Sequence, residues 1–272
     1  MRIMITGANG FIGSYLSGYL REYGHQVFEC GRDKLDLLDA NAVNTFFNGS
    51  IYFDLVIHTA LVGRESLYEL KQSMDDKIIK DNLRMWDNLV RNRHRFKRLI
   101  NLASGNEFDT DQEIDFAEEH EIFNREPKYT YGYVKNMIAR DLIQYENFYN
   151  LRLFGVFHYS ESPKRFFRKI FNHPKQEYHI YQDRQFDFIN LEDIPPMIDI
   201  VMNGEAKHKD INLVYQDKML LSDLAKMFND ITMSQAKIII DNPTGTNYTG
   251  DHRKFASYNT PKMGLQLGFL RY

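Results

Sequence analysis

The 272-residue sequence predicts an α/β fold, a doubly wound parallel sheet with a smaller C-terminal lobe. Three observations predict it. Short apolar runs alternate with longer amphipathic stretches from Arg2 to about Arg152. Each stretch between runs is long enough for a crossover helix, so neighbouring strands can lie parallel. After Phe157 the alternation fades into mixed aromatic and basic residues, KRFFRKIFNHPKQEYHIYQDRQFDF.

The strands are read at Arg2 to Thr6, Gln26 to Cys30, Leu55 to His58, Leu99 to Ala103 and Asn150 to Phe154. Each is a brief apolar run of the kind that parallel sheets bury on both faces. Gly13 to Tyr23, Lys77 to Asn92 and Tyr131 to Asn147 carry apolar residues at helical spacing. Residues 1–157 therefore form the first domain, with a return to it around 185–203, and residues 158–272 mainly the second lobe. NPTGTNYTGD, around Pro243, reads as a loop.

Composition narrows the function. With 43% hydrophobic and 26% charged residues the chain can bury a core, and a net charge of -3 offers no reason to expect nucleic acid or an anionic membrane. The basic run RNRHRFKR is read as a solvated helix end, and Trp86 as core or dimer-interface packing. A single cysteine, Cys30, permits no intrachain disulfide and suits a reducing, cytoplasmic setting. No apolar stretch approaches the roughly 20 residues of a membrane span. The histidines lack metal-ligand spacing, so no metal is expected.

The opening strand breaks into TGANGFIG, with Gly7, Gly10 and Gly13 three residues apart. Gly7 can turn sharply, Gly10 lets backbone amides approach a pyrophosphate, and Gly13 lets the helix pack closely on the sheet. The helix N-terminus then faces phosphate, which makes Gly7, Asn9, Gly10, Phe11, Ile12 and Gly13 candidate dinucleotide-binding residues. FECGRD offers Arg32 at the end of the second strand, where an arginine accommodates a 2′-phosphate, with Glu29 a little earlier. The expected cofactor is NADP, with NAD possible.

YGYVK places Tyr131 and Lys135 on one helix face. Carbonyl reduction needs a proton donor, and a phenol with a pKa of about 10 is poorly tuned to neutrality until a nearby cation stabilises its anion. The same spacing at Tyr258 and Lys262 is interrupted by Pro261 and is set aside. INLASGNEF puts Ser104 just past a strand, at the carboxyl edge where such sheets bind ligands.

The glycine turn, VIHTA at Val56 to Ala60, Asn82, Ser104, Tyr131 with Lys135, and RLFGVF from Arg152 together resemble the extended short-chain dehydrogenase/reductases, which modify sugar nucleotides. The resemblance covers nearly the whole chain. It implies a Rossmann-type domain and a homodimer built through paired helices. Ser104 is then expected to orient the sugar carbonyl or hydroxyl, Tyr131 to act as acid and base, and Lys135 to bind the nicotinamide ribose while tuning the tyrosine. Thr59, Ala60, Asn82, Asp36 and Leu37 fall at cofactor-contacting positions, Asp36 and Leu37 beside the adenine.

Departures refine this. Dehydratases of the family carry Asp-Glu directly after the serine, where this chain has Gly105 and Asn106. RDKLDLLDANAVNTFF resembles the GDP-fucose synthase-like reductases, whose epimerising cysteine and histidine are matched by Asn106 and Lys164. An amide cannot shuttle protons, so reduction is expected without epimerisation. The family's R-D-F reads Phe186-Asp187-Phe188 here, and Arg184, Arg165 or Lys164 is expected to replace the diphosphate-gripping arginine. The resulting expectation is NADPH-dependent reduction of a nucleotide-linked 4-keto-6-deoxyhexose. The alternatives are a C4-epimerase that retains NAD, and a non-catalytic dinucleotide-binding regulator.

Overall fold

The computed structural model describes residues 1–49, 51–63 and 74–272. The chain divides into two compact units. The first comprises Met1–Asp111, His120–Arg152 and Ile198–Ile211; the second comprises Gln112–Glu119, Leu153–Met197 and Asn212–Tyr272. The chain thus leaves the first unit at Arg152 and returns at Ile198–Ile211, against a passage after 157 and a return around 185–203 read from the sequence.

In chain order the first unit begins with β1 (Arg2–Thr6), α1 (Phe11–Glu22), β2 (Gln26–Cys30), α2 (Ala40–Asn48) and β3 (Leu55–His58). It continues with α3 (Asp76–Arg91) and β4 (Leu99–Ser104). After β5 (Ile114–Ala117), which lies in the second unit, come α4 (Thr130–Leu142) and β6 (Phe148–Leu153). Beyond these are β7 (Gly155–Phe157), α5 (Phe166–Asn172), β8 (Glu177–Ile180), β9 (Phe188–Asn190), α6 (Pro195–Asn203) and β10 (Asp210–Asn212).

Six strands form one sheet in the order β10-β6-β4-β3-β1-β2, and the β1, β2, β3 and β4 pairings are parallel. The chain runs from β1 outward to β2 and then crosses to β3 on the other side. That reversal lies between β1 and β3, the point where open α/β sheets bind ligands at their carboxyl edge. The register aligns Thr6 with both Cys30 and His58, so the turns after β1, β2 and β3 emerge along one edge.

The helices start where their caps dictate. Asp39 accepts the N–H groups of Asn41 and Ala42 ahead of α2, and Asp75 those of Lys77 and Ile78 ahead of α3. Phe47, Phe53, Trp86, Phe96, Leu99 and Phe148 fill the core between sheet and helices. Full burial of side chains of this size contributes about 1.5–3 kcal/mol each. Trp86 is a core residue whose Nε1 donates to Asp141 Oδ2 at 2.7 Å, linking α3 to α4. In the basic run, Arg95 Nε donates to the Phe47 carbonyl at 2.7 Å and so closes the end of α2.

Two element boundaries differ from the sequence reading by more than a residue or two. Helix α4 stops at Leu142, and tighter turns follow, from Gln144 N to Asp141 O and from Tyr145 N to Leu142 O. Helical spacing ran on to Asn147 because the Tyr145 and Phe148 rings, 4.7 Å apart, also face the core; β6 accordingly begins at Phe148. NPTGTNYTGD is a loop only as far as Asn247.

The second unit completes the chain with α7 (Leu221–Thr232), β11 (Lys237–Ile240), β12 (Tyr248–Gly250), α8 (Arg253–Ala256) and α9 (Gly264–Phe269). Its strands pair in parallel twos, β7 with β9, β8 with β11, and β5 with β12. Pairing with β5 is what orders Tyr248–Gly250 as a strand. Phe157, Phe167, Phe228 and Phe269 form its core. The Asp193 carboxylate accepts the N–H groups of Lys262, Met263 and Gly264, which fastens the C-terminal segment.

Candidate active site

The turn between β1 and α1 is shaped by what its glycines leave out. Gly7 lies at φ +66°, and a Cβ there would meet Ala60 Cα and Thr59 Oγ1 at 2.8 Å. A Cβ on Gly13 would stand 2.5 Å from the Gly7 carbonyl oxygen. The Gly10 N–H closes the turn on the Gly7 carbonyl at 2.9 Å. Helix α1 has Gly10 as its N-cap, no side-chain cap bond and no acidic residue in its first turn, which begins with Phe11 and Ile12. An α-helix start leaves N–H groups without intrahelical partners, and here no side chain of the cap competes for them.

The ends of β1 and β3 are sewn together beside this turn. Thr59 Oγ1 donates to Thr6 O at 2.7 Å, the Thr59 N–H donates to Thr6 Oγ1, and the Thr6 hydroxyl pairs with His58 Nδ1 at 2.8 Å. His58 is completely buried. Desolvation first, and the Lys135 charge second, push its pKa down to about 3, so it is a neutral imidazole. The sequence reading passed over it.

At the end of β2, Asn9 Nδ2 donates to Asp33 Oδ1 at 3.1 Å across Gly31, whose Cβ would collide with both side chains. Arg32 sits exposed in that turn. Asp36 accepts the Leu38 N–H, and the carbonyl of buried Leu37 accepts from Asn88 Nδ2 at 2.7 Å. Asn82 is buried, and both N–H groups of its carboxamide are engaged. It accepts from Val62 N and donates to Val62 O and Ile78 O, so it holds the chain just past Ala60.

Ser104 ends β4, and its Oγ accepts from Asn106 N at 3.2 Å and Asn106 Nδ2 at 3.1 Å. Both oxygen lone pairs are thereby used, which leaves the O–H as a donor. Lys135 is buried on α4, and its Nζ donates to the Leu102 carbonyl of β4 at 2.9 Å. Tyr131 is half-buried one turn earlier on the same helix. Gly132 explains how the helix reaches the serine loop: a Cβ there would lie 2.5 Å from Asn106 O and 2.8 Å from Pro127 Cβ. The structure therefore brings Ser104, Asn106 and the Tyr131–Lys135 helix into direct packing.

The expected substrate cations lie in the second unit. Lys164 is exposed. The Arg165 guanidinium donates to the Glu161 carboxylate at 2.9 Å and to the Val156 carbonyl at the start of α5. Arg184 lies over the Phe186 ring, 5.3 Å from its centroid. Phe186, in place of the family's arginine, packs against Phe188 and Tyr248. Among the described residues no group of three or more His, Cys, Asp or Glu side chains could hold a metal, and no helix is long and apolar enough to cross a membrane.

Sheet order, glycine turn and switch point define a Rossmann-type α/β protein. The profile of the NAD dependent epimerase/dehydratase family matches residues 3–213, and the chain belongs to that family of enzymes. Among solved structures, GDP-mannoheptose C4 reductase from Campylobacter jejuni with NADP bound is 20% identical, with a TM-score of 0.84 over 99% of this chain and 96% of that one. UDP-glucose 4-epimerase from Thermotoga maritima with UDP-glucose is 17% identical, with a TM-score of 0.75 over 100% and 97%. At such identities the likeness is one of fold. An uncharacterized protein of Schizosaccharomyces pombe is 34% identical over 92 residues, which is 29% of this chain and 31% of that relative's length.

Proposed function

We propose that this chain is a nucleotide-sugar oxidoreductase, and within that class a reductase that uses NADPH on an NDP-4-keto-6-deoxyhexose. The observation that carries the reading is the buried Lys135, anchored to β4 one helical turn from Tyr131, with the helix seated through Gly132 on the Ser104 loop. The site fits a dinucleotide. A cradle that Cβ atoms at Gly7 and Gly13 would fill precedes a helix start without a capping side chain or acidic residue. Exposed Arg32, directly past β2, suits a 2′-phosphate. The Campylobacter reductase, solved with NADP, and RMD from Pseudomonas aeruginosa, solved with NADPH, support the same choice.

In this reading the Ser104 O–H donates to the substrate carbonyl, because both lone pairs of its oxygen are already used. Tyr131 gives its phenolic proton to the oxygen as negative charge develops there. Lys135, held in a water-poor position, stabilises the resulting phenolate. The nicotinamide, when bound, supplies the hydride. Lys164 and Arg184 are the cations proposed for the diphosphate, and a homodimer is the proposed assembly.

The test is a panel of NDP-4-keto-6-deoxyhexoses with NADPH and NADH, followed by loss of reduced-nicotinamide absorbance. Turnover is expected with NADPH, and Tyr131→Phe should lower kcat about 10²–10⁴-fold while leaving dinucleotide affinity within about threefold. Protein that emerges loaded with NAD and interconverts C4 epimers would overturn the reductase reading. A fully active Tyr131→Phe variant would overturn the chemistry.

A further inference from the structure

Glu107 is the third residue of a short 3-10 turn, Gly105–Glu107, which the Ser104 hydroxyl caps. Its side chain and that of Arg152 on β6 are both entirely out of contact with solvent, and they pair at 2.7 Å between Glu107 Oε2 and Arg152 Nε. Asn150 Nδ2 donates to the same oxygen at 3.0 Å. Arg152 also reaches the Asp210 carboxylate at 2.9 Å, and its guanidinium lies 5.1 Å from the Phe108 ring centroid. On its other side, the Glu107 backbone carbonyl accepts from Asn136 Nδ2 of α4 at 2.7 Å. Asn136 immediately follows Lys135.

Stability alone does not account for this arrangement. A buried ion pair pays a desolvation penalty that apolar side chains of similar volume avoid. The second carboxylate oxygen, Glu107 Oε1, is buried with no hydrogen-bond partner, and burial raises the pKa of the group against the pull of Arg152. Within the turn, Phe108 N donates to Gly105 O and Asn106 N to Ser104 Oγ, each at 3.2 Å. The Asn106 bonds are what orient the Ser104 hydroxyl. Anything that fixes the turn therefore fixes the donor.

We infer that Glu107 is a positioning residue for the reduction: its carboxylate, clamped by Arg152 and Asn150, and its carbonyl, held by Asn136, lock the turn that aims the Ser104 hydroxyl. The inference rests on the reading of Ser104 given above. It also separates Glu107 from proton transfer, since the carboxylate faces β6 inside the fold and not the substrate.

The experiment compares Glu107→Gln with wild type, alone and in the Ser104→Ala background. The amide keeps the carboxylate's shape and one acceptor oxygen, so the fold is retained while the charge pairing with Arg152 is lost. Deuterium exchange of the 103–109 peptide should accelerate about tenfold with the rest of the chain unchanged. In the reductase assay kcat should fall about tenfold, with KM for NADPH within twofold. In Ser104→Ala protein the same substitution should change kcat less than twofold, because the group it positions is gone. Unchanged exchange in Glu107→Gln, or kcat losses that multiply in the double variant, overturns the inference. If Glu107→Gln does not fold, Arg152→Lys, which keeps the charge but loses the two-sided grip, must show the same local loosening or the inference fails. Wild-type protein inactive on every sugar of the panel refutes the reductase reading, while the exchange measurement still decides whether Glu107 locks the turn.

Discussion

Gly13 and Gly18 stand on the same helix, and replacing each with alanine isolates the steric demand of the glycine turn. Both substitutions gain helix propensity, worth about 1 kcal/mol for alanine over glycine in a helix interior. At exposed Gly18 a new Cβ meets nothing within 4 Å, so Gly18→Ala should be more stable than wild type by roughly 0.5–1 kcal/mol. At Gly13 the Cβ would stand 2.5 Å from Gly7 O and 3.0 Å from both Ala8 Cα and Thr59 Oγ1. Two of these are backbone atoms and cannot swing aside, so α1 has to move off the turn, at an overpacking cost of about 1–3 kcal/mol. The propensity gain cancels between the two variants, and the gap in their unfolding free energies should equal that cost. Urea unfolding measures the gap, and fluorescence titration with NADPH should show at least about tenfold weaker binding for Gly13→Ala alone, the equivalent of 1.4 kcal/mol. Variants within 0.5 kcal/mol of each other, or equal NADPH affinities, would refute the close approach of α1 to the turn.

Burial holds His58 at a pKa of about 3, against 6.5 when exposed, so the unfolded chain takes up its proton first as pH falls. The stability advantage of wild type over His58→Gln, present above pH 6.5, should shrink by about 1.4 kcal/mol per pH unit between 6.5 and 3; parallel pH profiles of the two proteins would contradict this. Arg152→Ala strands the Glu107 and Asp210 carboxylates and should cost about 3–5 kcal/mol in urea unfolding, whereas a loss under 1 kcal/mol would mean water reaches the pair. Arg32→Ala should weaken NADPH binding about tenfold and leave NADH binding unchanged; equal losses for both would remove Arg32 from the 2′-phosphate.

Most of the sheet was legible in the sequence because parallel strands buried on both faces appear as largely apolar runs: those read at Arg2 to Thr6 and Leu55 to His58 coincide with β1 and β3, and Leu99 to Ala103 falls one residue short of β4. The glycine turn was legible because positive φ and close backbone approach exclude other residues, as Gly7 and Gly13 show. Helix α4 was overrun because Tyr145 and Phe148 turn the same apolar face to the core after the helix has ended. The pairing of Arg165 with Glu161 was not legible, because it depends on a local fold that charge patterning does not display.

By itself the sequence determined the alternating α/β order, the place of the glycine turn and the helical spacing of Tyr131 and Lys135, since these follow from local steric rules and hydrophobic period. Only the tertiary structure decided that Asn82 bonds the backbone of Val62 and Ile78, that Gly132 admits α4 to the serine loop, and that Glu107, Arg152 and Asp210 meet beneath it. The physical reason is that a polar side chain's role is set by which partners and how little water surround it, and those are fixed by residues distant along the chain.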